Sequence, residues 1–209
     1  MTSRFNITLN TFTPAEAAKL TGVSTAKQLD WRRRGLIPRH EGHARFNIFA
    51  LAHLDLLRMA SESRLLLERF APAARQAAAS VAYYTLFFAD HYEGDEDVLE
   101  QFCVIENEPN RKVLQQLSTV DVDAIKRFMV VWAEPRHMGE ELILGYSVIG
   151  YHDSLDEAFG ELNPQDHDAY LQQRGPVHVF DLKCIGFDFG VRAPRPFVHV
   201  ALADEPTDD

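Results

Sequence analysis

The chain has 209 residues, with 31 acidic against 21 basic side chains and a formal net charge of −10 at pH 7. Its 46% apolar and 25% charged residues can bury a core, which excludes disordered, collagen-like and coiled-coil-only proteins, and the length suits one domain or two small ones. Two cysteines, Cys103 and Cys184, are too few for a disulfide framework; they are expected to be buried small hydrophobes in a reducing compartment, the cytoplasm.

Charge is unevenly placed. Residues 1–58 hold nine basic and four acidic side chains, a local surplus of +5 that leaves −15 for the remainder. Such asymmetry is the pattern of a small polyanion-binding module joined to an acidic body. Residues 1–10 carry one Arg and no apolar run of signal-peptide length. The longest uncharged apolar run, Ala77–Ala89, has 13 residues where a membrane span needs about 20, so no membrane partner is expected.

In chain order, Thr13-Pro14-Ala15-Glu16 opens a helix with a hydroxyl cap, Pro at the first helical position and the Glu of a capping box. It runs to about Leu20. A tight turn at Gly22, with Ser24 as the next cap, predicts a second helix over Thr25–Arg34 that stops at Gly35. Two short helices joined by such a turn form a helix-turn-helix, and ten helical residues rise about 15 Å, enough to lie across a major groove. Pro38 and Gly42 make Arg39–Arg45 a hairpin-like basic loop, a wing. A third helix follows its cap Asn47, with Ala50, Leu51, Leu54 and Leu57 on one face.

Pro72 suits the first turn of another helix reaching about Asp90. Its seam of Leu67, Phe70, Ala74, Ala77, Val81, Tyr84 and Phe88 allows either pairing with a second copy or burial within the chain. An acidic loop over Glu93–Glu96 precedes a helix-leaning stretch, Asp97 to about Ser118, broken near Pro109. Strands are expected over Phe128–Ala133, Leu142–Ile149, Val177–Ile185 and Phe197–Leu202, with short helices over Leu155–Leu162 and Gln165–Gln173 and an acidic tail from Ala203. The expected class is α+β: an N-terminal winged helix-turn-helix over residues 1–70, helical connector or dimerisation helices over 71–118, an α+β domain with a mainly antiparallel sheet over 119–203, and the tail at 204–209.

The stretch LTGVSTAKQLDWRRRGLIP (Leu20–Pro38), the Arg45-Phe46 pair that ends the wing and the helix after Asn47 together resemble the N-terminal DNA-binding domain of the MerR family of bacterial regulators. The resemblance covers roughly residues 11–70. It implies that the second helix enters the major groove, that the wing grips phosphates and that two copies bind a pseudo-palindrome, making the chain a dimeric transcriptional regulator. The family's usual Thr-Leu-Arg-Tyr-Tyr run is replaced here by Lys27, Gln28, Leu29, Asp30 and Trp31, so its base preference does not carry over. The family's metal sensors use cysteines near the end of the dimer helix, and none stands there in this chain. The Trp31–Pro38 wording also resembles phage excisionases and small terminase subunits, which implies the alternative of a DNA-architectural factor.

DNA binding needs cations that replace condensed counterions and a few donors that reach base edges. Lys27 and Gln28, one turn into the second helix, are expected to read bases, Gln pairing with adenine and Lys with guanine, while Thr25 meets a phosphate or a thymine methyl. Of Arg32–Arg34 at most two can face one surface; Arg32 is expected on a phosphate and Arg33 at the DNA face, while Arg39, His43 and Arg45, with His40, bring the wing to the neighbouring backbone. Asp30 needs Arg33 or Arg34 as a partner, or a cytosine amino group. Trp31 is expected beneath the wing as a core aromatic.

The remainder holds no CxxC, HExxH, Walker or GxGxxG spacing, and Gly145–Gly150 is one residue too long for a nucleophile elbow. His152-Asp153 with Asp156 and Glu157 reads as a turn leading into a helix; His178 and His199 lie on expected strands that could be neighbours. The chain is therefore expected to be no enzyme, with no metal and no cofactor, while a small-molecule or protein effector remains open as a further partner. A rival from another class makes the C-terminal body an enzyme or protein-binding module and the winged domain its adaptor.

Overall fold

A computed structural model describes residues 4–38, 44–118, 120–138, 141–162 and 177–203, leaving aside the side chains of 132–149 and 159–162. The expected Gln165–Gln173 helix, the acidic tail from 204 and wing residues 39–43 lie outside the described residues.

A strand that the sequence reading omits comes first: β1 (Phe5–Leu9), whose Phe5 and Ile7 point into the core while Asn6 and Thr8 face out. Local chemistry then sets three helices. In α1 (Pro14–Thr21), Thr13 Oγ1 accepts from Glu16 N at 3.2 Å and Thr13 N donates to Glu16 Oε2 at 2.7 Å, the reciprocal pair of a capping box. Gly22 ends it at φ 71°, a left-handed conformation that suits glycine. Ser24 Oγ caps α2 (Thr25–Arg33) through Lys27 N, and Asn47 Oδ1 caps α3 (Ile48–Glu62) through Ala50 N at 3.0 Å. The chain between α2 and α3 returns to the core at Phe46, which pairs with Phe12 as an isolated antiparallel bridge.

Helix α4 (Leu67–Thr85) begins five residues before Pro72, correcting the expectation that Pro72 opens it. Pro72 is exposed and removes only the rung to the Glu68 carbonyl, a loss the helix tolerates there. The seam is buried over its first five members: Leu67, Phe70, Ala74, Ala77 and Val81 are covered within one chain, with α3 and α8 (Leu182–Val191) packed on α4, whereas Tyr84 is half-buried and Phe88, beyond the end of the helix, is exposed. The expected boundary at residue 70 thus falls inside α4. A short β2 (Tyr92–Glu93) leads to α5 (Glu96–Glu106) and α6 (Pro109–Leu117), which part near Pro109 as the sequence implies.

The remaining elements are β3 (Phe128–Met138), β4 (Glu141–His152), α7 (Leu155–Leu162), β5 (Val177–Asp181), α8 and β6 (Val198–Leu202). The expected strand over Val177–Ile185 stops at Asp181, whose carboxylate accepts from Lys183 N and Cys184 N at 3.1 Å and so starts α8 instead. The class is α+β, with eight α-helices among the described residues and two three-stranded sheets rather than one. One sheet runs β4-β3-β5, antiparallel throughout. The other runs β1-β6-β2, with β1 antiparallel and β2 parallel to β6, so the two ends of the described chain meet: Phe5 pairs with Leu202.

One hydrophobic core extends from Phe5 to Val200. α4 and α8 approach so closely that a Cβ on Gly186 would stand 2.7 Å from the Val81 carbonyl oxygen. Polar clamps tie the C-terminal segment to the N-terminal helices. Arg192 donates to the Leu20 carbonyl at 2.6 Å and pairs with buried Asp55 at 2.8 Å, while Arg58 takes the other Asp55 oxygen at 3.0 Å. Arg195 donates to the Thr11 carbonyl at 2.7 Å and lies 4.3 Å from the Phe12 ring centre.

Candidate nucleic-acid interface

Helix α2 has one buried and one open side, and the division decides which of its residues can meet a ligand. Trp31 is buried at 1% exposure, as the sequence implies for a core aromatic, and with it Gln28 at 2%. These positions are three apart and share a face. Gln28 Nε2 donates to the Val23 carbonyl at 2.8 Å and the Pro14 carbonyl at 3.0 Å, so it splints the turn between α1 and α2. The expectation that Gln28 reads a base is corrected: its donors are committed to backbone and its side chain is closed off from solvent.

Lys27 also turns inward. Its Nζ lies 4.9 Å from the Trp31 ring centre and donates to Ser61 Oγ on α3 at 3.2 Å, which withdraws it from the open face. Arg32 is half-buried over Phe46, 5.8 Å from the ring centre, with Nε and Nη2 lacking partners among the described residues. It joins the end of the loop to α2.

The open face consists of Thr25, Ala26, Leu29, Asp30 and Arg33, all exposed and recurring at helical spacing. Arg34, at the C-cap, bonds to Glu68 and lies 3.5 Å from Asp30, so its charge is neutralised; Asp30 has the arginine partner that the sequence asks for. Arg33 forms no ion pair with a described residue. Arg45 is exposed in the chain leading to Phe46, whose ring carries Arg32 of α2 on its face. Arg39 and His43 lie outside the described residues, as does His40. Of the eight residues singled out for DNA, Thr25, Arg33 and Arg45 stand open, Lys27 and Arg32 half-buried, and Gln28 buried. Leu29, 45% exposed, is the member of the face that the sequence reading passed over. The signal was there: once Trp31 is placed inward, a 3.6-residue period puts 28 inward and 29 outward.

Elsewhere, His178 and His199 fall in different sheets, so the idea that neighbouring strands unite them is corrected. His152 is buried; Asp153 N donates to Glu157 Oε2 at 2.9 Å and Glu157 N to Ser154 Oγ at 3.1 Å, the pattern of a turn entering α7. Cys184 is exposed and Cys103 half-buried, neither the buried hydrophobe expected. Both thiols are pushed up, Cys103 by burial and Cys184 by its hydrogen bond with Asp181, which disfavours a reactive thiolate. Among the described residues, no group of three or more His, Cys, Asp or Glu is arranged to hold a metal, and no helix is long and apolar enough to cross a membrane.

No protein-family model matches the chain, and no curated protein matches it.

Proposed function

We propose that the chain is a DNA-binding transcriptional regulator whose residues 11–62 act as a winged-helix-like module of MerR type, with α2 as the element that enters the major groove. The observation that carries this reading is the division of α2: Gln28, Trp31 and Lys27 anchor it, leaving Thr25, Ala26, Leu29, Asp30 and Arg33 as one projecting face. A rigidly seated helix with a small, mixed outer face suits groove insertion. Leu29 and the Thr25 methyl can meet thymine methyls, Asp30 can accept from a cytosine amino group, and Arg33 and Arg45 contact phosphates. Two bound copies on a pseudo-palindrome, in the cytoplasm, complete the reading. Their pairing uses a surface other than the Leu67–Val81 part of the seam, which is covered within the chain. No catalytic role is assigned.

The test is selection of bound duplexes from a random-sequence pool. A recurring motif should emerge, and Leu29→Ser should change the motif at a defined position while leaving overall phosphate affinity nearly intact. Recovery of no preferred sequence, with binding no tighter than to bulk DNA, rejects the sequence-specific reading.

A further inference from the structure

A half-open cleft of about 290 Å³ lies where the end of the loop, α3, α4 and the chain after α6 converge. Its walls are apolar, with Ile37, Phe46, Phe49 and Leu117 among them, and no acidic side chain lines it among the described residues. Two guanidinium groups border it, Arg45 from the loop and Arg75 from α4; both side chains are exposed and neither forms an ion pair with a described residue. His53 also lines it, from an α3 stretch otherwise rich in leucine and alanine.

His53 is 3% exposed, and its Nε2 has no hydrogen-bond partner among the described residues. Burial, and next the Arg75 charge, push its pKa down to about 4, against a smaller opposing pull from the Ala71 backbone, so the ring is neutral at pH 7. A neutral imidazole has one acceptor nitrogen, and Nε2 is the ring nitrogen that is buried with no hydrogen-bond partner among the described residues. A buried acceptor left unpaired is costly, and a ligand hydroxyl satisfies it.

We propose that this cleft binds a small organic acid: an apolar, ring-sized body between Phe46, Phe49 and Leu117, a carboxylate on Arg45 and Arg75, and a hydroxyl donating to His53 Nε2. The volume is at the small end of ligand sites, which favours a single ring over a nucleotide or a lipid. Arg75–carboxylate pairing also suits the fork geometry of a guanidinium. Arg45 belongs to the proposed DNA face as well, so ligand and duplex compete; that consequence alone rests on the DNA reading, and anisotropy reads it separately.

Binding is tested by calorimetric titration of the full chain, without DNA, using para-hydroxybenzoate, para-hydroxyphenylacetate and para-hydroxycinnamate. At least one should saturate a single site with a Kd between about 10 µM and 1 mM. The exposed change Arg75→Gln should weaken it by about tenfold, the matching amide or methyl ether of the ligand should bind about tenfold more weakly, and Ala50→Phe, which fills the cleft, should remove binding from a chain that still melts cooperatively. Saturation by none of the three acids below about 5 mM, or binding indifferent to both Arg75→Gln and the amide, overturns the proposal. Since no duplex is present, failure here leaves DNA binding to its own test.

Discussion

The arginines of the seam between the two ends of the chain and three of those on the outer surface are used in opposite ways. At the seam, Arg192 and Arg58 enclose buried Asp55, and Arg195 holds the Thr11 carbonyl and the face of Phe12; their donors go to fixed protein acceptors. On the surface, Arg33, Arg45 and Arg75 have no ion-pair partner among the described residues. Paired cations lock α3 and α8 together, whereas unpaired ones border α2 and the cleft. Charge count along the sequence treats both groups alike, and only their partners separate them.

That contrast can be broken at the seam first. Arg192→Leu removes one of the two cations beside a carboxylate that is 1% exposed, and should lower stability by about 3 to 4 kcal/mol in denaturant unfolding. A loss below about 0.5 kcal/mol, the size of an exposed pair, would place Arg192 with the surface group.

Next in size is a pH effect. His53 has a folded pKa near 4, below its unfolded value near 6.5, so the unfolded chain binds the extra proton between those limits and stability falls as pH drops through them. The contribution reaches about 3 kcal/mol by pH 4. His53→Phe should therefore flatten the stability profile between pH 6.5 and 4 relative to the parent. Parallel profiles would show that His53 is not held neutral by burial.

Gln28→Ala sharpens the comparison within α2. It strips two carbonyls at the α1–α2 turn of their donor and should cost about 2 kcal/mol, without lowering the salt slope of DNA binding. Arg33→Ala, with no ion pair to a described residue to lose, should change stability by less than about 0.5 kcal/mol. A large loss there would mean Arg33 is a fastening residue.

The sequence makes some regions legible and hides others for physical reasons. Caps act over three residues, so Thr13 with Glu16, Ser24 and Asn47 announce α1, α2 and α3. Strand β1 alternates as Phe5, Ile7 and Leu9 do, but its partner β6 lies almost the whole chain away, and pairing at such separation leaves no local mark. The Leu182–Ile185 stretch reads as strand from its composition, yet the Asp181 carboxylate and the fit of Gly186 against α4 make it helix. At the candidate interface, the helix itself is legible, but the fate of Gln28 depends on the Pro14 and Val23 carbonyls that tertiary packing brings within reach. The cleft at His53 assembles from four separate segments; its one sequence mark is a lone histidine in an apolar helix.

The most direct test of the central claim is the salt dependence of duplex binding, followed by fluorescence anisotropy for the parent, Arg33→Ala and Arg45→Ala. Affinity should fall steeply between about 50 and 200 mM salt, and each substitution should reduce the log–log slope by about one while the melting temperature stays put. Slopes identical in all three proteins, or no salt-dependent binding at all, would contradict the assignment of these two arginines to DNA phosphates.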